Sequence, residues 1–217
     1  ESAWQAVGLV RDITERKKAE IRQHVEASRT RALLELPRAA EALSEADFMQ
    51  HGQALAENLT GSKVAFIHFV NDDEETIELV AWSPRTLERC TAVFDRHYPI
   101  SQAGIWANAL RERHPVVFND YANTPDLRGL PEGHIPLQRL VSVPVIENGK
   151  VTMLTGVGNK ESDYDGFDVE TIQLISNDVW RIVQRRRAES QLRKLAQAVE
   201  QSPAAIAITN LNAEIEY

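Results

Sequence analysis

"SVPVIENGKVTMLTGVGNK", residues 142–160, contains two β-prone runs joined at Asn148-Gly149-Lys150. Asn-Gly suits a two-residue hairpin turn because both central positions take positive φ, which these residues tolerate best. The stretch therefore predicts an antiparallel pair, "RLVSVPVIE" against "VTMLTGVGN", and not a parallel crossover. Working outward, "KVAFIHFV" and "TIELVAW" flank the polar turn "NDDEE" and predict a second hairpin, and "VVFND" predicts one more strand. Between them, "AGIWANALRERHP" is the most helix-like part of a long mixed connection that ends in the loop "YANTPDLRGLPEGHIP".

Helical patterns bracket these strands. Residues 14–36 hold no Gly or Pro and place Ile21, Val25, Ser28, Ala32 and Leu36 at steps of four, three, four and four, a narrow seam of coiled-coil type with Thr14 as its N-cap. Pro37 is expected to interrupt or kink that helix. A second helix carries Leu43, Phe48, Leu55 and Leu59 and stops at Gly61. After the last strand, residues 168–202 again lack Gly and Pro. Ile172, Ile175, Val179 and Ile182 keep the period, and Leu192, Leu195 and Val199 resume it in a shifted phase beyond Arg185, Arg186 and Arg187. The arginine triplet reads as a solvated face of a linker helix. The fold class is α+β: an antiparallel sheet with helices packed on one face, the other face roofed by the mixed connection, and long terminal linker helices. The narrow seams predict a parallel homodimer through the N- and C-terminal helices.

The composition of the 217 residues, 43% hydrophobic and 26% charged, supports a sizeable core. A net charge of −8 argues against nucleic acid as a partner and suits a cytoplasmic protein. Cys90 is the single cysteine, which excludes an internal disulfide framework and any Cys-rich metal site within one chain. No apolar run approaches the ~18 residues of a membrane span, and no signal-peptide pattern is present. The chain starts without methionine inside the strand-like "AWQAVGLVRDIT" and stops inside "AIAITNLNAEIEY", so a piece of a longer multidomain protein is expected.

Taken together, the helix before "AFIHFV", the "IELVAW" partner, "RHPVVFNDY", "SVPVIENGKVTMLTGVGNK" and the helix after "YDGFD" resemble a GAF domain. "GLVRDITERKKAE", with its Asp12-Ile13-Thr14 triplet, resembles the exit of a PAS domain, and "LAQAVEQSPAAIAITNLNAEIEY" resembles the opening of another. The resemblance implies the end of an upstream PAS domain at 1–14, a signalling helix at 15–40, a GAF domain at 41–185, a linker helix at 186–201 and the start of a downstream PAS domain at 202–217. It further implies a bacterial signalling protein whose output, a histidine kinase or a cyclic di-GMP enzyme, lies outside this stretch. The implied role is a non-enzymatic sensor that binds a small molecule, dimerises and moves its helices.

None of the six histidines has metal-ligand spacing, so no metal and no catalytic residue is assigned. Cys90 reads as an inert packed thiol, against a thiol enzyme or chromophore carrier. Asn159 and Lys160 begin the pattern that cyclic-nucleotide GAF domains carry, but the following acidic residues are out of place; an ion pair from Lys160 to Asp168 or Glu170 is the structural use of the same residues. Trp82, Tyr98, Trp106 and Tyr121 are candidate walls of a roofed ligand pocket or plain core. Asn119 is either a pocket contact or a turn cap. Arg139 either points inward to hold an anion or outward as an edge charge. His134 either contacts a ligand or hydrogen-bonds loop backbone. The ligand, and any cofactor, stays unnamed, and a pocketless dimerisation module is the alternative.

Overall fold

A computed structural model describes residues 12–88, 97–125, 134–201 and 212, without the side chains of Lys18, His97 and Tyr98. The expected PAS flanks and Cys90 therefore lie almost wholly outside the described residues. Two helices come first among the described residues: α1 (Thr14–Ala42) and α2 (Glu45–Thr60). Strands β1 (Val64–Val70) and β2 (Thr76–Trp82) follow, then the short α3 (Pro84–Leu87) and strand β3 (His97–Pro99). Two 3-10 turns, Ile100–Gln102 and Ile105–Ala107, lead into α4 (Asn108–Glu112) and β4 (Val116–Phe118). After a third such turn, Tyr121–Asn123, come β5 (Leu140–Glu147), β6 (Lys150–Gly158) and α5 (Gly166–Glu200).

The strands form one antiparallel sheet in the order β3-β2-β1-β6-β5-β4. Asn148 and Gly149 take φ of 51° and 78°, the paired positive values that the Asn-Gly turn predicts. In the other hairpin, Asp73 accepts from the backbone N–H groups of Glu75 and Thr76 and fixes the turn chemically. The sequence reading lacked β3, which adds an edge strand to β2.

Both sheet faces are buried, so the central strands read as continuous apolar runs. One face carries Ala65, Ile67, Phe69, Val141, Val143, Met153 and Val157 against Phe48, Met49 and Ala56 of α2 and Ile172, Ile175, Val179 and Ile182 of α5. Ser44 caps α2, and Asp165 with Asp168 forms a reciprocal capping box at the start of α5.

Four expectations change here. Helix α1 runs through Pro37 without a break, because that residue lies on the exposed side, where the carbonyl that loses its partner can turn to water. The N-cap position of α1 is Ile13, which offers no side-chain cap; Asp12, two residues before Thr14, accepts from the Thr14 N–H at 2.9 Å, and Thr14 holds its carboxyl below the usual range. Part of the α1 seam is covered within its own chain: Ala32 and Leu36 are buried, as is Ala40 one turn on, whereas Val25 and Ser28 are half-buried and Ile21 is exposed. Of the arginine triplet only Arg185 is a solvated charge, paired with Glu189 along the helix surface. Arg186 donates to Leu43 O at 3.0 Å, and Arg187 pairs with Glu45 at 2.6 Å while lying 4.8 Å over the Phe69 ring, so the two pin α5 to the α1–α2 corner. Among the described residues no helix is long and apolar enough to cross a membrane.

Candidate functional site

Strand alternation decides what faces away from the helices. Ala65, Ile67 and Phe69 point to the helical layer, so Phe66 and His68 point to the other side. Directly opposed residues in an antiparallel ladder share a face, which places Trp82 beside Phe66 on β2, Gly156 beside it on β6, and Ser142 beyond Gly156 on β5. Leu140 and Leu154 complete the floor. The mixed connection supplies the roof: Ile100, Ala103, Ile105 and Trp106 from the first two 3-10 turns, Tyr121 from the third, and Ile135 and Leu137 from the segment entering β5. Arg111 staples the roof by donating to the carbonyls of Ile100 and Ala103, each at 2.8 Å, and to Asn108 at 2.6 Å.

Between floor and roof the His68 ring stacks on Trp106, with centroids 4.5 Å apart and planes inclined by 23°. Phe66 presents its ring roughly at right angles to both, at 5.3 Å from His68 and 5.6 Å from Trp106. Phe66 also lies so close to Gly156 that a Cβ there would stand 2.1 Å from the ring, so only glycine permits this placement. Burial holds His68 neutral, with its pKa drawn down to about 3. The Tyr121 hydroxyl, 2% exposed as a residue, is pushed up to about 12 by the same cause. Ser142 is wholly buried.

The structure gathers four of the predicted residues. Trp82, Trp106 and Tyr121 border one apolar cluster with Val64, Phe66 and Leu140. His134 joins them by setting its ring perpendicular to Trp82 at 6.3 Å, while its Nδ1 lies 2.7 Å from Ile135 O. A carbonyl only accepts, so Nδ1 carries the proton and the ring closes its own loop. Two residues are placed elsewhere. Asn119 exchanges hydrogen bonds with the Tyr164 backbone, at 2.8 and 3.1 Å, and so clamps β4 to the segment before α5. Arg139 pairs with Asp163 at 2.9 Å on the rim, the outward alternative of the two. Tyr98 lies outside the described side chains. Sequence reasoning missed His68 and Ser142, although each is a polar residue inside an apolar strand, "AFIHFV" and "LVSVPV".

Asn159 and Lys160 serve the frame. Asn159 accepts from Gln138 N–H at 2.8 Å and donates to Pro136 O at 2.9 Å, fixing the entry into β5. Lys160 grips both carboxylate oxygens of Asp168, at 2.8 and 2.6 Å, and ties the last strand to α5. Glu170, the other candidate partner, reaches the buried Arg29 of α1 at 3.2 Å. Arg29 and Arg22 also cover the Phe167 ring, at 5.0 and 5.6 Å.

This architecture has counterparts of known kind. The GAF domain of a phosphoenolpyruvate-protein phosphotransferase from Coxiella burnetii superposes with a TM-score of 0.62 at 11% identity, covering 76% of this chain and 98% of that one. The equivalent domain from Acinetobacter gives 0.59 at 16% identity, over 73% and 94%. At such identities the likeness concerns the fold alone. In sequence, the chain is 38% identical over 186 residues to the methyl sulfide methyltransferase-associated sensor of Methanosarcina acetivorans, covering 84% of this chain and 18% of that protein. It thus spans less than a fifth of the length of that relative. The family model for the GAF domain matches residues 42–184, the sheet with its covering helices and roof. This chain belongs to the GAF domain family.

Proposed function

We propose that this GAF domain is a non-enzymatic regulatory sensor. It takes a small molecule on the roofed face of its sheet, pairs with a second copy through its terminal helices, and passes a change in helix position to neighbouring PAS and output domains of a cytoplasmic signalling protein. A histidine kinase or a cyclic di-GMP enzyme is the output that suits such a module. The relative from Methanosarcina acetivorans carries the name of a sensor, which supports the reading.

The observation that carries it is the continuity of α5. Its first half packs on the sheet and on α2 through Ile172, Ile175, Val179 and Ile182, and the same helix continues to Glu200 with Leu192 and Leu195 about two-thirds exposed. Ala188, Leu192, Leu195 and Val199 follow steps of four, three and four, the spacing of a two-stranded seam. A leucine seam held in water has no reason to persist, whereas one facing its own copy buries about 2 kcal/mol per leucine. Sedimentation of the chain at micromolar concentration is expected to show a dimer that Leu192→Glu with Leu195→Glu converts to a folded monomer. A monomeric wild-type chain, or a dimer that survives both changes, overturns this part of the reading.

A further inference from the structure

We propose that the roofed face receives a small, uncharged aromatic molecule, lying over Gly156 and hydrogen-bonded by the Tyr121 and Ser142 hydroxyls. The inference deepens the sensor reading and rests on it. The two hydroxyls are its starting point: neither finds a hydrogen-bond partner among the described residues. A buried polar group left without a partner is costly, so each such group calls for something to use it. Ser142 stands between Val116 and Gly156 in the ladder, which offer it no polar side chain. Tyr121 is surrounded by Val64, Phe66, Ile105, Leu137 and Leu140, an apolar set.

Phe66 links the two. Its ring belongs to the cluster around Tyr121 and lies on Gly156, the register neighbour of Ser142. The surface over Gly156 is therefore shaped to a flat six-membered ring, with Trp106 and His68 forming its far wall. A rotation of Phe66 about χ1 gives that surface to a ligand ring of like size, and the ligand's polar substituent then meets the hydroxyls. Charge is disfavoured on either sign. The imidazole beside the site is neutral, Arg111 is taken up by roof carbonyls and Asn108, and Arg139 is held by Asp163. An ion placed among these aromatic rings would lose its hydration without an opposite charge to replace it.

Benzamide, benzoate and benzamidine share one shape and differ in charge, so they separate the alternatives when titrated calorimetrically into the whole chain. Benzamide is expected to bind at least tenfold more tightly than either ion. Tyr121→Phe and Ser142→Ala are each expected to weaken benzamide by about five- to tenfold, the worth of one hydrogen bond. Without ligand, the same variants are expected to raise the thermal midpoint by about 2–4 °C each, since each removes an unpartnered buried group. Preference for benzoate or benzamidine overturns the ligand class and leaves the sensor reading standing. Variants that lower the midpoint and leave benzamide affinity unchanged overturn the two hydroxyls as the site, as does failure of all three probes to bind. The dimeric part of the sensor reading fails on different evidence, the sedimentation result described above.

Discussion

Removing either partner of the Lys160–Asp168 pair should cost far more than a surface ion pair. Asp168 has 6% of its side chain exposed and Lys160 22%, and the ammonium reaches both carboxylate oxygens within 2.8 Å. Asp168 has a second duty, since its Oδ2 accepts from the Asp165 N–H at 3.0 Å and closes the capping box of α5. Lys160→Met leaves a buried carboxylate with one backbone donor, at a cost of about 3 kcal/mol. Asp168→Ala strands the ammonium and opens the cap as well, about 4 kcal/mol in all. With both partners gone no uncompensated charge is left, so Lys160→Met with Asp168→Ala should cost only about 3–4 kcal/mol. The three values imply a coupling of about 3 kcal/mol. Equilibrium urea unfolding followed by tryptophan fluorescence measures each corner of the cycle. The reasoning is refuted if the single variants cost under about 1 kcal/mol or the coupling falls below about 0.5 kcal/mol, the values of an exposed pair.

Two further outcomes follow from the roofed face. His68 is held neutral with a pKa near 3 against an ordinary 6.5, so the unfolded chain takes up the proton first. Stability is then complete above the ordinary value and declines as pH falls toward 3, by about 2 kcal/mol near pH 5. His68→Gln should flatten that acid limb, and an NMR titration placing the His68 pKa near its ordinary value would contradict the prediction. Gly156→Ala sets a methyl group against the Phe66 ring and should cost about 1–3 kcal/mol, a fall of about 3–10 °C in thermal midpoint. A scanning calorimetry midpoint equal to or above wild type would show that Phe66 yields without strain.

Local chemistry was readable wherever one residue type dictates one backbone state. Asn148-Gly149 placed the hairpin and its antiparallel partners, and Gly61 ended α2 in the left-handed conformation. Helix α1 was readable as a helix but not as a covered one, because a seam of Ala32 and Leu36 looks the same whether it meets a second copy or α2 and α5. The arginine triplet misled for a related reason: a guanidinium on an acidic chain usually faces water, yet a corner carbonyl and Glu45 give Arg186 and Arg187 better partners. On the roofed face, Trp82, Trp106, Tyr121 and His134 were found by residue type. His68 and Ser142 were hidden because strands buried on both faces lose the alternation that reveals which way a side chain points. Asn119 and Arg139 were ambiguous in sequence, and long-range partners, Tyr164 and Asp163, decided both.

Helix α5 also sets a scale of leverage. It is seated on the domain as far as Arg187; from Ala188 to Glu200 it stands clear, ~20 Å of unsupported rod at 1.5 Å per residue. A rotation of ~5° where the helix leaves the Arg186 and Arg187 anchors sweeps its far end through ~1.7 Å, about a third of the spacing between successive turns. In the proposed sensor, the anchoring corner, more than the helix itself, is where a small shift in the sheet is enlarged.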